Sequence, residues 1–190
     1  MHLGGTLLIL FSLTFYGYSM KNDAEQEKIM VDFSAPTDSE WIIVNDGVMG
    51  GLSRSNFKLL DDSTAFFSGT VSLENYGGFA SVRSNPYPFK LKDFVGIKIR
   101  IKGDGKRYSF RIRTDSDFDG IAYKSDFLTE KDQWTEIKLP FSSFLPTFRG
   151  RILKNVPPLQ QEKIRQIGFM ISEKQEGSFS LYIDWIKAYR

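Results

Sequence analysis

The side chains with which this sequence could do chemistry are limited first by what it lacks. It has no cysteine, and its one histidine is His2. A folded domain made from the rest has no imidazole base and no thiolate, which removes Ser-His-Asp and Cys-His catalysis and His- or Cys-ligated metal sites. Carboxylates remain. A glycosidase-type pair, one acid and one base or nucleophile, could be drawn from Asp46, Glu74 and Asp104. No spacing holds two of them at a working separation, and each stands beside glycine or asparagine, where carboxylates commonly accept backbone N–H groups and shape turns. No enzymatic activity is therefore expected.

Asp115-Ser116-Asp117-Phe118-Asp119-Gly120, with Asp126 at the twelfth position, has the spacing of an EF-hand loop, with oxygen ligands at alternate positions and glycine at the sixth. The flanks 110–114 and 122–127 alternate like strands, and position twelve normally carries the longer Glu. A solvated acidic turn is the plainer reading, and calcium at Asp115, Asp117, Asp119 and Asp126 is the alternative. Gly103-Asp104-Gly105-Lys106-Arg107 lacks the spacing of a phosphate loop, and no dinucleotide fingerprint occurs, so no cofactor is expected. Trp41, Tyr76, Tyr87, Trp134 and Phe148 could stack on sugar rings. Trp41, Trp134 and Trp185 have strand-like neighbours and are expected in the core, whereas Tyr76, between Asn75 and Gly77, is expected to be exposed. Arg83, Arg149 and Arg151 could bind an anionic partner or pair internally. The net charge of +2 comes from basic residues scattered among acidic ones, which does not suit nucleic acid.

These residues must be positioned by strands. Val95 to Lys102 and Tyr108 to Arg113 alternate apolar and basic residues with period two, and Gly103 to Lys106 between them has hairpin chemistry, so the two runs are expected to pair antiparallel. Further strands are expected at 29–33, 41–44, 55–60, 64–73, 79–83, 134–139, 167–172 and 178–189, with short helical pieces at 141–144 and 159–165 behind prolines. With 190 residues, 41% hydrophobic and 15% aromatic, the chain suits one β-sandwich domain over residues 29–190.

The least regular stretch is Asn45-Asp46-Gly47-Val48-Met49-Gly50-Gly51-Leu52-Ser53, where glycine and asparagine allow positive φ or close backbone approach. With Glu74-Asn75-Tyr76-Gly77-Gly78-Phe79-Ala80-Ser81-Val82-Arg83 and Gly103 to Tyr108, it resembles the signature of the complex I intermediate-associated protein family. Leu139-Pro140-Phe141 with Phe144, Phe148-Arg149-Gly150-Arg151, Ile167 to Ile171 and Leu181 to Ile186 extend the resemblance over residues 31–189. The family looks like galactose-binding-type jelly rolls, related in shape to carbohydrate-binding modules. It includes mitochondrial assembly factors and bacterial relatives, and this chain reads as a bacterial-type member.

The resemblance implies a non-enzymatic module that holds a protein partner in the assembly of a respiratory NADH dehydrogenase. An exported carbohydrate-binding module is the alternative. A structural calcium where the terminal strands meet, at Asp32 and Asp184, is a further implication. The expected binding face is Asn45, Asp46, Met49, Glu74, Asn75, Tyr76, Arg83, Arg149 and Arg151, with the loops 45–51 and 75–78 expected to meet in one surface. A monomer is expected, bound to a protein or a glycan. Asp46→Asn is expected to leave folding intact.

Leu3 to Ser19 carries no formal charge and contains Leu7-Leu8-Ile9-Leu10-Phe11, with small residues placed for cleavage before Met20. Export to the periplasm or cell envelope is expected, followed by a polar lead-in at 20–28. An uncleaved anchor, or a cytoplasmic product starting at Met20, are the other readings.

Overall fold

The computed structural model describes residues 25–34, 40–117 and 119–190. The stretch from Leu3 to Ser19 lies outside them. Thirteen strands form within the described residues: β1 (Glu27–Asp32), β2 (Trp41–Ile43), β3 (Arg54–Leu59), β4 (Ala65–Val71), β5 (Ala80–Ser84), β6 (Gly96–Gly103), β7 (Arg107–Arg113), β8 (Ala122–Leu128), β9 (Trp134–Pro140), β10 (Leu145–Phe148), β11 (Arg151–Ile152), β12 (Gln166–Ile171) and β13 (Gly177–Tyr189). One sheet runs β3-β4-β13-β6-β9, with β1 also on β13, and the other runs β11-β10-β8-β7-β12-β5-β2. This is the expected all-β jelly-roll sandwich. Its first strand starts at Glu27, inside what was read as the lead-in, and the two expected helical pieces are single 3-10 turns at Phe141–Ser143 and Gln161–Lys163.

The core follows from period-two alternation. Ile97, Ile99 and Ile101 of β6 face Tyr108, Phe110 and Ile112 of β7 and Ile167, Phe169 and Ile171 of β12, all fully buried between the sheets. The Phe110 and Phe169 rings meet edge-on at 5.2 Å. Each such side chain contributes about 1.5–3 kcal/mol by leaving water.

Two expectations fail here for identifiable reasons. β6 and β7 do not pair: β6 lies between β13 and β9, while β7 lies between β8 and β12 in the opposite sheet. Period two tells which face of a strand is apolar, and a hairpin and a crossing between sheets satisfy it equally. The crossing is held by Asp104, whose carboxylate accepts the Lys106 N–H at 3.1 Å, the Tyr108 hydroxyl at 3.0 Å and the Ser180 N–H at 3.0 Å. Gly103 packs so closely on Thr129 that a Cβ would lie 2.4 Å from the threonine Cβ.

Trp134 and Trp185 are not in the core. By alternation from Leu181 and Ile183, Trp185 should point inward. The β6–β13 register shifts between Ile183 and Trp185, and this bulge puts Ile186 inside instead. Trp185 then lies on the outer face between Lys98 and Lys187, and Trp134 lies beneath Arg100 and Lys102. Trp41 does pack as expected, stacked on Phe57 at 4.9 Å.

Candidate functional site

The two loops expected to meet do so around Asp46. Its side chain is fully buried in the 3-10 turn Asp46–Met49. Oδ1 accepts the Ser53 N–H at 2.9 Å, and Oδ2 accepts the Gly78 N–H at 2.7 Å, the Phe79 N–H at 3.2 Å and the Ser53 hydroxyl. Burial works to raise its pKa, but the Ser53 hydroxyl and the three N–H groups outweigh it and hold the carboxyl below its ordinary value. The neighbouring glycines are required by this packing. A Cβ at Gly51 would lie 2.4 Å from Asp46 Cγ, and one at Gly77 would lie 2.7 Å from Oδ2. Asn45 adds a second tie, its Oδ1 accepting from the Ser55 hydroxyl at 2.8 Å and the Ser81 N–H at 3.3 Å. Both residues are therefore beneath the expected face and hold its loops together.

What these loops rim is a groove of about 630 Å³ on the outer face of the seven-stranded sheet. Val48 and Met49, 66% and 58% exposed, stand at its edge. Its floor is set by sheet register: Arg83 of β5 pairs with Gly168 of β12, Gly168 with Arg111 of β7, and Arg111 with Lys124 of β8. Side chains in one cross-strand row share a face, so three cations and a glycine form a line, with Arg113 two residues along β7. A Cβ at Gly168 would lie 2.3 Å from the Val82 carbonyl, so bare backbone floors the row between the arginines.

Five basic residues line this groove against the acidic Asp119 and Glu173. Lys124 is paired with Asp126 at 2.8 Å and Glu173 at 3.5 Å, and Arg149 with Asp119 at 2.7 Å. None of the ion pairs among the described residues involves Arg111 or Arg113. Arg111 Nη1 donates to the Met170 sulfur at 3.3 Å and Arg113 Nη1 to the Gly120 carbonyl at 2.7 Å. Burial, and then the like charges of Arg113 and Arg83, bring the Arg111 guanidinium down to about 10. Burial also lowers Arg113, against the opposing pull of Asp115 and Asp119.

Of the expected face, Met49, Arg83 and Arg149 line the groove, while Glu74, Asn75, Tyr76 and Arg151 do not. Asn75 and Tyr76 both have positive φ, 54° and 61°, and the Tyr76 side chain is 99% exposed. Arg149-Gly150 is the two-residue turn of a β10–β11 hairpin absent from the expected strands. Positive φ at both, 47° and 77°, is the geometry such a turn requires. Arg111, Arg113, Lys124 and Gly168 were not among the expected site residues.

The expected metal ligands do not converge. Asp126 lies within β8 and accepts from the Ser109 hydroxyl at 2.5 Å, Asp119 is taken by Arg149, Asp115 is a neighbour of Gly120, and Asp117 lies in the loop between β7 and β8. Asp32 accepts the Ser34 N–H at 2.9 Å and hydroxyl at 2.6 Å, while Asp184 is paired with Arg100. Among the described residues no three His, Cys, Asp or Glu side chains gather to hold an ion. Asp46 and Asp104 are each taken up by backbone and hydroxyl donors that fix loops.

Known proteins with this fold include the family 11 carbohydrate-binding module of a Clostridium thermocellum cellulase. That structure has a TM-score of 0.62 at 20% identity and covers 87% of this chain and 95% of its own. The agarase AgWH50C matches with a TM-score of 0.58 at 10% identity over 86% of this chain and 24% of its own. At these identities the likeness is one of fold. By sequence, the mitochondrial complex I intermediate-associated protein 30 of Mus musculus is 29% identical over 87% of this chain and 57% of its own length. An uncharacterized Schizosaccharomyces pombe protein is 34% identical over 76% and 75%. A probable complex I intermediate-associated protein 30 of Caenorhabditis elegans is 26% identical over 80% and 48%. The chain thus spans about half the length of the mouse and worm proteins. These relatives also correct the expectation of export, since the mouse, Neurospora crassa and Drosophila melanogaster proteins are all named as mitochondrial. The model of the complex I intermediate-associated protein 30 family matches residues 31–183, nearly the whole sandwich, and the chain belongs to that family.

Proposed function

We propose that this domain is a non-catalytic binding module that holds a protein partner during assembly of a respiratory NADH dehydrogenase. The observation that carries the reading is the open groove rimmed by the Asp46-tied loops, where apolar Val48 and Met49 stand beside a row of cations. Family membership supplies the biological setting, through relatives named for complex I intermediates. Acid–base chemistry is not supported, because the Asp46 and Asp104 carboxylates are held by structural donors.

A second reading, glycan binding, is favoured by the exposure of sugar-stacking candidates: the Tyr76 ring is 99% and the Tyr87 ring 63% exposed, and Trp134 lies outside the core. These rings lie outside the groove, whose described lining has no Trp or Tyr and one half-buried aromatic ring, that of Phe79. The test is complementation in cells deprived of their own family member, with assembled NADH dehydrogenase read on native gels. Restored complex is expected. Folded protein that restores none while giving reproducible signals on a glycan array would replace the first reading with the second.

A further inference from the structure

Resting on the assembly reading, we propose that the groove receives an extended acidic segment of the partner protein, one side-chain carboxylate of which sits over Gly168, between Arg83 and Arg111 and beside Arg113.

The register makes the seat. Arg83 and Arg111 lie two strands apart, about 10 Å between Cα atoms at ordinary strand spacing, with Gly168 between them. No side chain can occupy that middle position, because a Cβ there would also come within 3.0 Å of Arg83 Cα and Cβ. Gly168, itself buried beneath the closely packed Arg83 strand, lines the groove with guanidinium-bearing side chains on both sides. Arginine forks match a carboxylate with two parallel N–H donors, and such charge-assisted bonds are roughly twice as strong as neutral ones.

Charge then selects the occupant. Burial of like charges is costly unless a counter-charge joins them. On the opposite sheet the chain supplies its own: Lys98 meets Glu27 and Glu136, Lys187 meets Glu27, and Arg100 meets Asp184. In the groove, Lys124 and Arg149 are likewise matched, and Arg113, bonded to a neutral carbonyl, has Asp115 and Asp119 near it, yet Arg111 has a thioether sulfur as its acceptor. An incoming carboxylate would offset the repulsion that Arg113 and Arg83 exert on Arg111.

The remaining lining points to protein. A neutral sugar would want broad aromatic platforms, and the described lining offers only the half-buried Phe79 ring and no Trp or Tyr. Exposed Val48 and Met49 at the rim fit the apolar side chains that accompany acidic ones in a peptide.

The test is fluorescence anisotropy with a short fluorescein-labelled peptide alternating Glu and Ala, its Gln counterpart, and polygalacturonate as a competing acidic polysaccharide. The Glu peptide should bind, weaken as salt rises, and lose at least about tenfold in affinity in Arg111→Gln and again in Arg113→Gln. Arg111→Lys, which keeps charge and loses the fork, should fall between. Lys58→Gln, the same charge change on exposed β3 of the other sheet, should bind as the parent does. Thermal melts identify any variant that fails to fold, and Arg113→Gln carries the test if Arg111→Gln does. Equal binding of the Gln peptide, unchanged affinity in both folded arginine variants, or tighter binding of polygalacturonate than of the peptide would overturn the proposal. Intact complementation with no peptide binding would reject this groove occupant and spare the assembly reading. Peptide binding without complementation would do the reverse.

Discussion

Replacing Asp46 with asparagine should damage the fold, although the change is nearly isosteric. The carboxylate meets four donors: Oδ2 takes three and Oδ1 takes one. An asparagine can turn its amide oxygen to the crowded Oδ2 side, which leaves its NH₂ group against the Ser53 N–H, donor to donor. Hydrogen bonds to a charged acceptor are worth about 1.5–3 kcal/mol each, and an unsatisfied buried donor costs about 1–3 kcal/mol. One bond lost and three weakened place the cost at about 2–4 kcal/mol. For a domain of this size each kcal/mol lowers Tm by about 2–4 °C, so a drop of roughly 5–15 °C is expected. Urea titration of parent and variant across pH adds a second signature. Because the folded pKa lies below the ordinary value of 3.8, the carboxylate's contribution is complete above that value and is lost as pH falls through the folded one. The gap between parent and variant should therefore be widest near neutrality and narrow below about pH 4. A variant within about 0.5 kcal/mol of the parent at neutral pH would refute the anchor, because that is the range of ordinary surface substitutions.

Three further outcomes follow from the packing. Gly51→Ala should cost about 1–3 kcal/mol by driving a methyl into Asp46, whereas Gly47→Ala, with open space around it, should be nearly neutral, and denaturant titration of the two compares them directly. Ile99→Asp should cost more than about 4 kcal/mol, because an unpaired carboxylate would replace a fully buried side chain, and retention of a cooperative native melt would contradict the facing of β6. Trp185→Ala, on the outer face, should cost less than Phe169→Ala, for which about 3–5 kcal/mol is expected. The opposite order would place Trp185 in the core after all.

Alternation in β6, β7 and β12 was enough to read the inward faces and hence the sandwich. It carried no information on which strands pair, so the crossing at Gly103 to Lys106 read as a hairpin. Trp185 shows the limit of period two, since a single bulge at Asp184 reverses the phase of everything behind it. The turns of the two glycine-rich loops were legible because glycine at Gly50 and Gly78, with φ of 89° and 130°, has a local cause. The burial of Asp46 was not, because two of its four donors come from Gly78 and Phe79, more than thirty residues away. Arg111 and Arg113 looked like ordinary solvent-facing residues of an amphipathic strand. Only the register that sets Arg83, Gly168 and Arg111 side by side makes them a candidate site, and register is a property of three strands distant in sequence.

The claim that the groove is the working face in assembly is tested most directly by complementation with the Arg111→Gln/Arg113→Gln double variant beside Lys58→Gln on the opposite sheet, both confirmed as folded, with assembled NADH dehydrogenase measured on native gels. The double variant should leave assembly at the level of cells lacking the protein, and Lys58→Gln should restore it fully. Restoration by the double variant equal to that of the parent would contradict the account.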